Sequence, residues 1–171
     1  MSKPSKQDWL LDPRGCPGFE RHEVVARREV GPHVHHTEHY HVRIPRRWAL
    51  VNITDRVEET LARSGVDDGL CFVSAMHITA GVYINDAEGG LLSDIAAWLE
   101  GLAPFGPDYR HHGTGEDNGD AHLKSFLTNH ALTAPVTRGK LDLGPWQQVF
   151  YAEYDGQRTK RLLVKVVGLT A

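Results

Sequence analysis

From His39 onward the hydrophobic and polar positions fall into short regular stretches. His39-Tyr40-His41-Val42-Arg43-Ile44 alternates and predicts a strand. Thr54 could cap a helix that runs to Ser64, with Val57 and Leu61 on its apolar face and Gly65 as its stop. Residues 70–77 open with the apolar run Leu70, Cys71, Phe72, Val73 and predict a buried strand ending at His77; residues 80–84 predict a second short one. Leu91, Leu92, Ile95, Trp98 and Leu99 recur at helical spacing across residues 88–101. Residues 104–119 read as a long polar loop, and a helix starts at Asp120 and continues through Leu127. The last third reads as antiparallel sheet, with strands near 131–137, 146–155 and 158–168. Asp155-Gly156 is a hairpin signal between the final two. Many strands with two or three helices, not alternating throughout, predict an α+β fold.

Residues 1–36 differ from the rest. Pro4, Pro13, Pro17 and Pro32 interrupt them, and no period is sustained beyond a short strand within 20–30. They are expected to form an N-terminal arm before a single domain spanning 37–171.

Composition narrows the classes. At 171 residues, 40% hydrophobic and 24% charged, the chain has the apolar material for a real core. No apolar run reaches the roughly 18–20 residues of a membrane span. The opening residues carry no apolar segment of the signal-peptide kind. Cys16 and Cys71 are too few for a disulfide framework and not spaced as a thiol metal site, so a reducing, cytoplasmic setting is expected. A net charge of −3 without a basic stripe argues against nucleic acid as partner. The unusual figure is 11 histidines, which directs attention to site chemistry.

Two histidines, His111 and His122, flank the acidic, glycine-rich stretch Gly113-Thr114-Gly115-Glu116-Asp117-Asn118-Gly119-Asp120. His122 falls in the first turn of a helix and is held stiffly, His111 sits on the loop, and His77 ends a strand. Three neutral imidazoles plus an open position make a catalytic zinc site, with Asp117 or Asp120 available to orient a ligand. The alternative is that three scattered histidines are ordinary core or surface groups. His33, His35, His36, His39 and His41 form a second cluster, whose period-2 pairs could bind metal on one strand face or simply make an exposed histidine-rich surface. Asp86, Glu88 and Asp94 could hold a hard cation, although acids collect at helix N-termini for dipole reasons alone. Lys124, Arg138, Lys140 and Arg158 could clamp phosphate or form a solvated basic surface. Trp146 is expected in the core or at an interface.

At these residues the sequence resembles the YjbQ-like family, often labelled secondary thiamine-phosphate synthases. His77-Ile78-Thr79-Ala80 through Ile84-Asn85-Asp86, the loop Tyr109-Arg110-His111 with Glu116-Asp117-Asn118 and Ala121-His122-Leu123-Lys124-Ser125, and the segment 136–147 with Gly139, Leu141, Leu143, Gly144, Trp146 and Gln147 are similar to its motifs. Glu153, Asp155-Gly156 and Arg158 follow in the expected order. The likeness covers about residues 37–168. It implies a mixed or antiparallel sheet, sandwich-like, packed with helices in a homotrimer. It also implies that His77, His111 and His122 converge on a metal or anion site. The activity implied joins a pyrimidine diphosphate to a thiazole phosphate, giving thiamine phosphate and pyrophosphate. Ile78, Asp86, Ala131, Ala134 and Pro145 depart from the motifs, and three of these changes remove hydroxyls that could donate to substrate.

The leading expectation is therefore a metal-dependent enzyme, a transferase of thiamine-phosphate synthase type, acting on a phosphorylated small molecule. A divalent ion, zinc first with Mg, Mn or Ni open, would sit on His77, His111 and His122. Asp117 and Asn118 would join His77 as catalytic residues, and Lys124, Arg138 and Arg158 would bind substrate. The alternative is a trimeric metal- or metabolite-binding protein without catalysis. Metal storage by the 33–41 histidines would instead require more than one ion per chain.

Overall fold

Two largely antiparallel sheets face one another in the computed structural model, which describes residues 9–14 and 18–171. The strands are β1 (Trp9–Asp12), β2 (Phe19–Val30), β3 (His33–Val42), β4 (Trp48–Asn52), β5 (Asp68–Ala75), β6 (Ala80–Asn85), β7 (Ala131–Thr137), β8 (Lys140–Leu141), β9 (Gln148–Glu153) and β10 (Lys160–Leu169). The helices are α1 (Thr54–Ser64), α2 (Gly89–Leu102) and α3 (Gly119–Thr128). The larger sheet has the order β2-β3-β10-β5-β7-β8 and the smaller one β1-β4-β9-β6. Only the β1–β4 pair is parallel among the described strands, so the fold is α+β with mixed pairing, as expected.

Alternation explains the layering. On β5 and β10, Cys71, Val73 and Ala75 and then Leu162, Val164 and Val166 point to the inner core, while Leu70 and Phe72 face outward. The smaller sheet is buried on both faces. Ala49, Val51, Val149 and Tyr151 join the core between the sheets, and Trp48, Leu50, Phe150 and Ala152 pack against Leu92, Ala96 and Leu99 of α2. The strand at 70–77 is thus not a doubly buried run. It is an alternating strand with one open face, and His77 lies just beyond its end.

Local signals hold for α1, whose chain reverses at Gly65 with φ of 71°. Its cap is Ile53, not Thr54. The Thr54 hydroxyl instead donates to Asn52 Oδ1 at 2.7 Å and accepts from the Val149 amide at 2.9 Å, which docks the helix start on β9. Glu88 is the N-cap of α2, accepting from the amides of Gly90 and Leu91, and these bonds lower its pKa. Its carboxylate is thus engaged in capping the helix, the ordinary reason for an acid at this place.

The expected hairpin at Asp155-Gly156 does not form. β9 belongs to the smaller sheet and β10 to the larger, so residues 154–159 cross between layers. The turn is held by tertiary contacts. Gly156 donates to Arg47 O at 2.9 Å, and a Cβ at 156 would lie 2.0 Å from Arg46 O, so only glycine fits. The described part of the expected arm pairs with both sheets: β1 runs beside β4, and β2 pairs with β3 along its length, with two register shifts. Cys16 lies outside the described residues. Buried Cys71 has its thiol pushed up to about 12 by burial. Trp146 is 73% exposed and not in the core. No helix among the described residues is long and apolar enough to cross a membrane.

Candidate functional site

A cleft of about 830 Å³ opens where the chain leaves β5 and meets α3. His77, His122, Ser125, Asn129 and His130 are among its walls, with apolar Ile78 and Phe126 at the edge. Ile78 and Phe126 are 71% and 84% exposed, so the cleft carries an apolar rim around polar groups.

The three imidazoles come from three different elements. His77 lies on the turn between β5 and β6, His122 in the first turn of α3, and His111 on a 3-10 turn at Arg110–Thr114. The rings of His111 and His122 stand 4.5 Å apart at 66°. Burial lowers the pKa of His122, with the neighbouring His111 adding to the effect. Burial also lowers that of His77, followed by the charges of Lys160 and Arg158, with Asp155 opposing. Both are therefore neutral imidazoles near pH 7, and the two cations near His77 are each paired with a carboxylate, Lys160 with Glu153 and Arg158 with Asp155.

Beneath His77 runs a buried chain of polar groups. The Thr79 amide and hydroxyl reach His77 Nδ1 at 3.3 and 2.9 Å. Lys160 Nζ donates to Thr79 Oγ1 at 2.8 Å and pairs with Glu153 Oε1. Glu153 also accepts from Tyr151 OH and from the amides of Tyr154 and Asp155. Thr79, Lys160 and Glu153 are all buried.

Asp155 ties the loop to this chain. Its carboxylate accepts from Asn118 Nδ2 at 3.0 Å, and Arg158 and Arg47 approach at 3.2 and 3.8 Å. Arg47 also grips Asp117 through both side-chain oxygens and its carbonyl, which lowers the Asp117 pKa. Asp117 and Asn118 thus fasten the loop, and no structural contact carries either into the cleft. Asn118 Oδ1 is buried with no hydrogen-bond partner among the described residues.

The remaining expected residues separate. Arg158 stands beside Asp155 close enough to act on His77. Lys124 does not reach the cleft: it is fully buried, donating to Glu100 at 2.8 Å and Asp120 at 2.7 Å, with Trp9 and Trp48 alongside. Arg138 is exposed on the turn between β7 and β8, at the far end of a strand whose Ala131 end lies by Ser74 of the cleft. At about 3.3 Å per residue that is roughly 20 Å away. In the second histidine cluster, His36 is buried on the inner face, its Nε2 at 2.8 Å from Glu38, while His33 and His35 are exposed on the outer face.

The three imidazoles do not fit a three-histidine ion site as they stand. Nδ1 of His77 receives hydrogen bonds, whereas a metal-bound histidine donates from its second ring nitrogen. Among the described residues no three His, Cys, Asp or Glu side chains gather closely enough to hold an ion.

Lys160, Asn129 and His130 were not named from the sequence, and Thr79, Glu153 and Asp155 stood there only as motif or turn residues without a role in the site. The available signal was the ionisable pair Glu153 and Asp155 at the end of the otherwise apolar stretch Val149-Phe150-Tyr151-Ala152.

The two-sheet α+β sandwich is that of a known class of proteins. The chain belongs to the family described as UPF0047 protein YjbQ-like, whose model matches residues 38–169. A UPF0047 protein of Methanothermobacter thermautotrophicus is 40% identical over 133 residues, covering 78% of this chain and 92% of its own. One from Archaeoglobus fulgidus is 41% identical, covering 71% and 94%. A crystal structure of a YbjQ-like protein of unknown function from Sulfolobus solfataricus superposes with a TM-score of 0.75 at 31% identity, covering 80% of this chain and 99% of that one. A hypothetical protein from Aeropyrum pernix gives 0.73 at 32%, covering 77% and 98%.

Proposed function

We propose that the cleft binds a phosphorylated small molecule and that the chain is an enzyme acting on it. The observation carrying this reading is a neutral imidazole at a cleft with two cations at hand: His77 has Lys160 and Arg158 near it and lines a cleft of about 830 Å³. An anion gains from imidazole donors, and Arg158, half exposed, can turn toward a phosphate. The apolar rim at Ile78 and Phe126 suits a ring attached to the phosphate.

The finer reading is a transferase of thiamine-phosphate synthase type, which rests on the resemblance of the sequence motifs alone. Here the chain's own groups would stabilise a departing pyrophosphate by donating to its oxygens. The test is direct: supply the pyrimidine diphosphate and thiazole phosphate and measure thiamine phosphate and pyrophosphate together. Formation of both in equal amounts, lost in His77→Ala, supports the transferase; binding without product leaves a metabolite-binding protein.

A second reading keeps a divalent ion, zinc before others, and the facing rings of His111 and His122 favour it. Elemental analysis after dialysis against chelator tests it. A homotrimer belongs to the proposal as well. The outer face of the larger sheet leaves Leu70, Phe72 and Leu169 exposed, apolar surface that a second copy would cover. Light scattering on the eluting peak gives the mass.

A further inference from the structure

We infer that Glu153, Lys160 and Thr79 act as a positioning relay that holds His77 with its proton on Nε2, so that His77 meets the ligand as a hydrogen-bond donor and not as a metal ligand. This assignment rests on the anion reading of the cleft for its ligand, and on geometry alone for its tautomer.

The direction of each bond follows from what the groups can do. Burial pushes the Lys160 pKa down, but its pairing with the Glu153 carboxylate favours the ammonium, which has donors only, so Thr79 Oγ1 accepts at 2.8 Å. The hydroxyl proton is then free to point at His77 Nδ1, 2.9 Å away. The Thr79 amide can only donate, and it too lies at 3.3 Å from Nδ1. Two donors converge on one nitrogen, so Nδ1 is the acceptor and the neutral ring carries its proton on Nε2. Lys160 is itself oriented by Glu153, whose carboxylate is fixed by two backbone amides and Tyr151 OH. Every member below the imidazole is sealed from solvent, with Thr79 and Glu153 each 1% exposed, so water does not offer an alternative partner.

The consequence for the ligand is a matter of sign. An Nε2–H offers a positive edge to an anionic oxygen. A cation would need the Nε2 lone pair, which requires moving the proton to Nδ1, against two donors and with Lys160 close by. His77 thereby separates from the set expected to share an ion.

The test is a long-range proton–nitrogen NMR correlation on the full chain with labelled histidine, taken near pH 8. Wild type is expected to show His77 as the Nε2–H form. Pyrophosphate is expected to shift that Nε2 resonance, and zinc is expected to leave it in place. Thr79→Val removes the hydroxyl with little change of shape. It should mix the two tautomers and weaken pyrophosphate binding about tenfold, the size of one lost hydrogen bond, with Thr79→Ser restoring both. An Nδ1–H ring in wild type, or zinc displacing the Nε2 proton, overturns the inference. The wild-type spectrum decides it even where Thr79→Val fails to fold. An Nε2–H ring that does not respond to pyrophosphate overturns the anion reading instead, so the two failures are distinguishable.

Discussion

The Asn118 carboxamide donates to the buried Asp155 carboxylate at 3.0 Å, fastening the histidine loop to the crossover between the two sheets. His111 and His122 flank this bond in sequence, so the position of both depends on it. Asn118→Ala is expected to cost about 1–3 kcal/mol, because Asp155 loses a buried donor. It should also weaken pyrophosphate binding by loosening His122 in the cleft wall and the His111 ring packed against it. Urea denaturation and calorimetry on the same variant read the two effects; unchanged affinity with lowered stability would show that the loop serves only the fold.

Lys124 sits in a closed ion-pair triad with Glu100 and Asp120. Lys124→Met should therefore lower stability by about 3–5 kcal/mol, leaving two buried or half-buried carboxylates uncompensated. Affinity for pyrophosphate at a temperature where the variant remains folded should be unchanged. A selective loss of affinity would return Lys124 to the site.

Arg158 and Arg138 offer a paired comparison. Arg158→Ala should weaken pyrophosphate binding several-fold and steepen nothing in the unfolding curve, since the side chain is half exposed. Arg138→Ala, at the far turn, should leave binding alone. Titrations of both variants at one ionic strength check this.

Asn129 occupies φ 66° and ψ 145° at the end of α3, a region that only glycine visits without cost. Its backbone carbonyl nevertheless accepts from Val82 at 3.0 Å, which fixes the turn. Asn129→Gly is expected to raise stability by about 1 kcal/mol, strain relief of about 1–3 kcal/mol being partly offset by glycine's greater chain entropy. Thermal melting reads the sign.

Much of the fold was legible because alternation and helical spacing are local. The α1 stop at Gly65, the apolar stripe of α2 and the inward positions of β10 follow from near neighbours. Asp155-Gly156 misled because a turn dipeptide says nothing of which sheet the next strand joins; the close approach of Arg46 decides that. Lys124 shows the same gap. Its i, i+4 partner Asp120 is readable, but the Trp9 and Trp48 rings that bury it arrive from distant strands. The relay under His77 was hidden for that reason too, since Thr79 and Lys160 are 81 positions apart and meet only when the sheets stack.

Acid stability should report on Glu38. The Arg63 guanidinium, His36 and Thr60 donate to this buried carboxylate and hold its pKa at about 2, against a desolvation cost that acts upward. The folded pKa lies below the ordinary value of 4.5, so the contribution is complete above about pH 4.5 and is lost as pH falls through about 2. Glu38→Gln should flatten that acid limb in denaturation curves taken from pH 5 downward, while the parent remains pH-sensitive there.

The central claim is that His77 opens onto an anion site. Isothermal titration of pyrophosphate into the full chain and into His77→Ala, with circular dichroism confirming that the variant is folded, tests it most directly. The account predicts saturable binding to the parent at one site per chain, weakened at least tenfold in His77→Ala. No binding to the parent, or equal affinity in the folded variant, would contradict it.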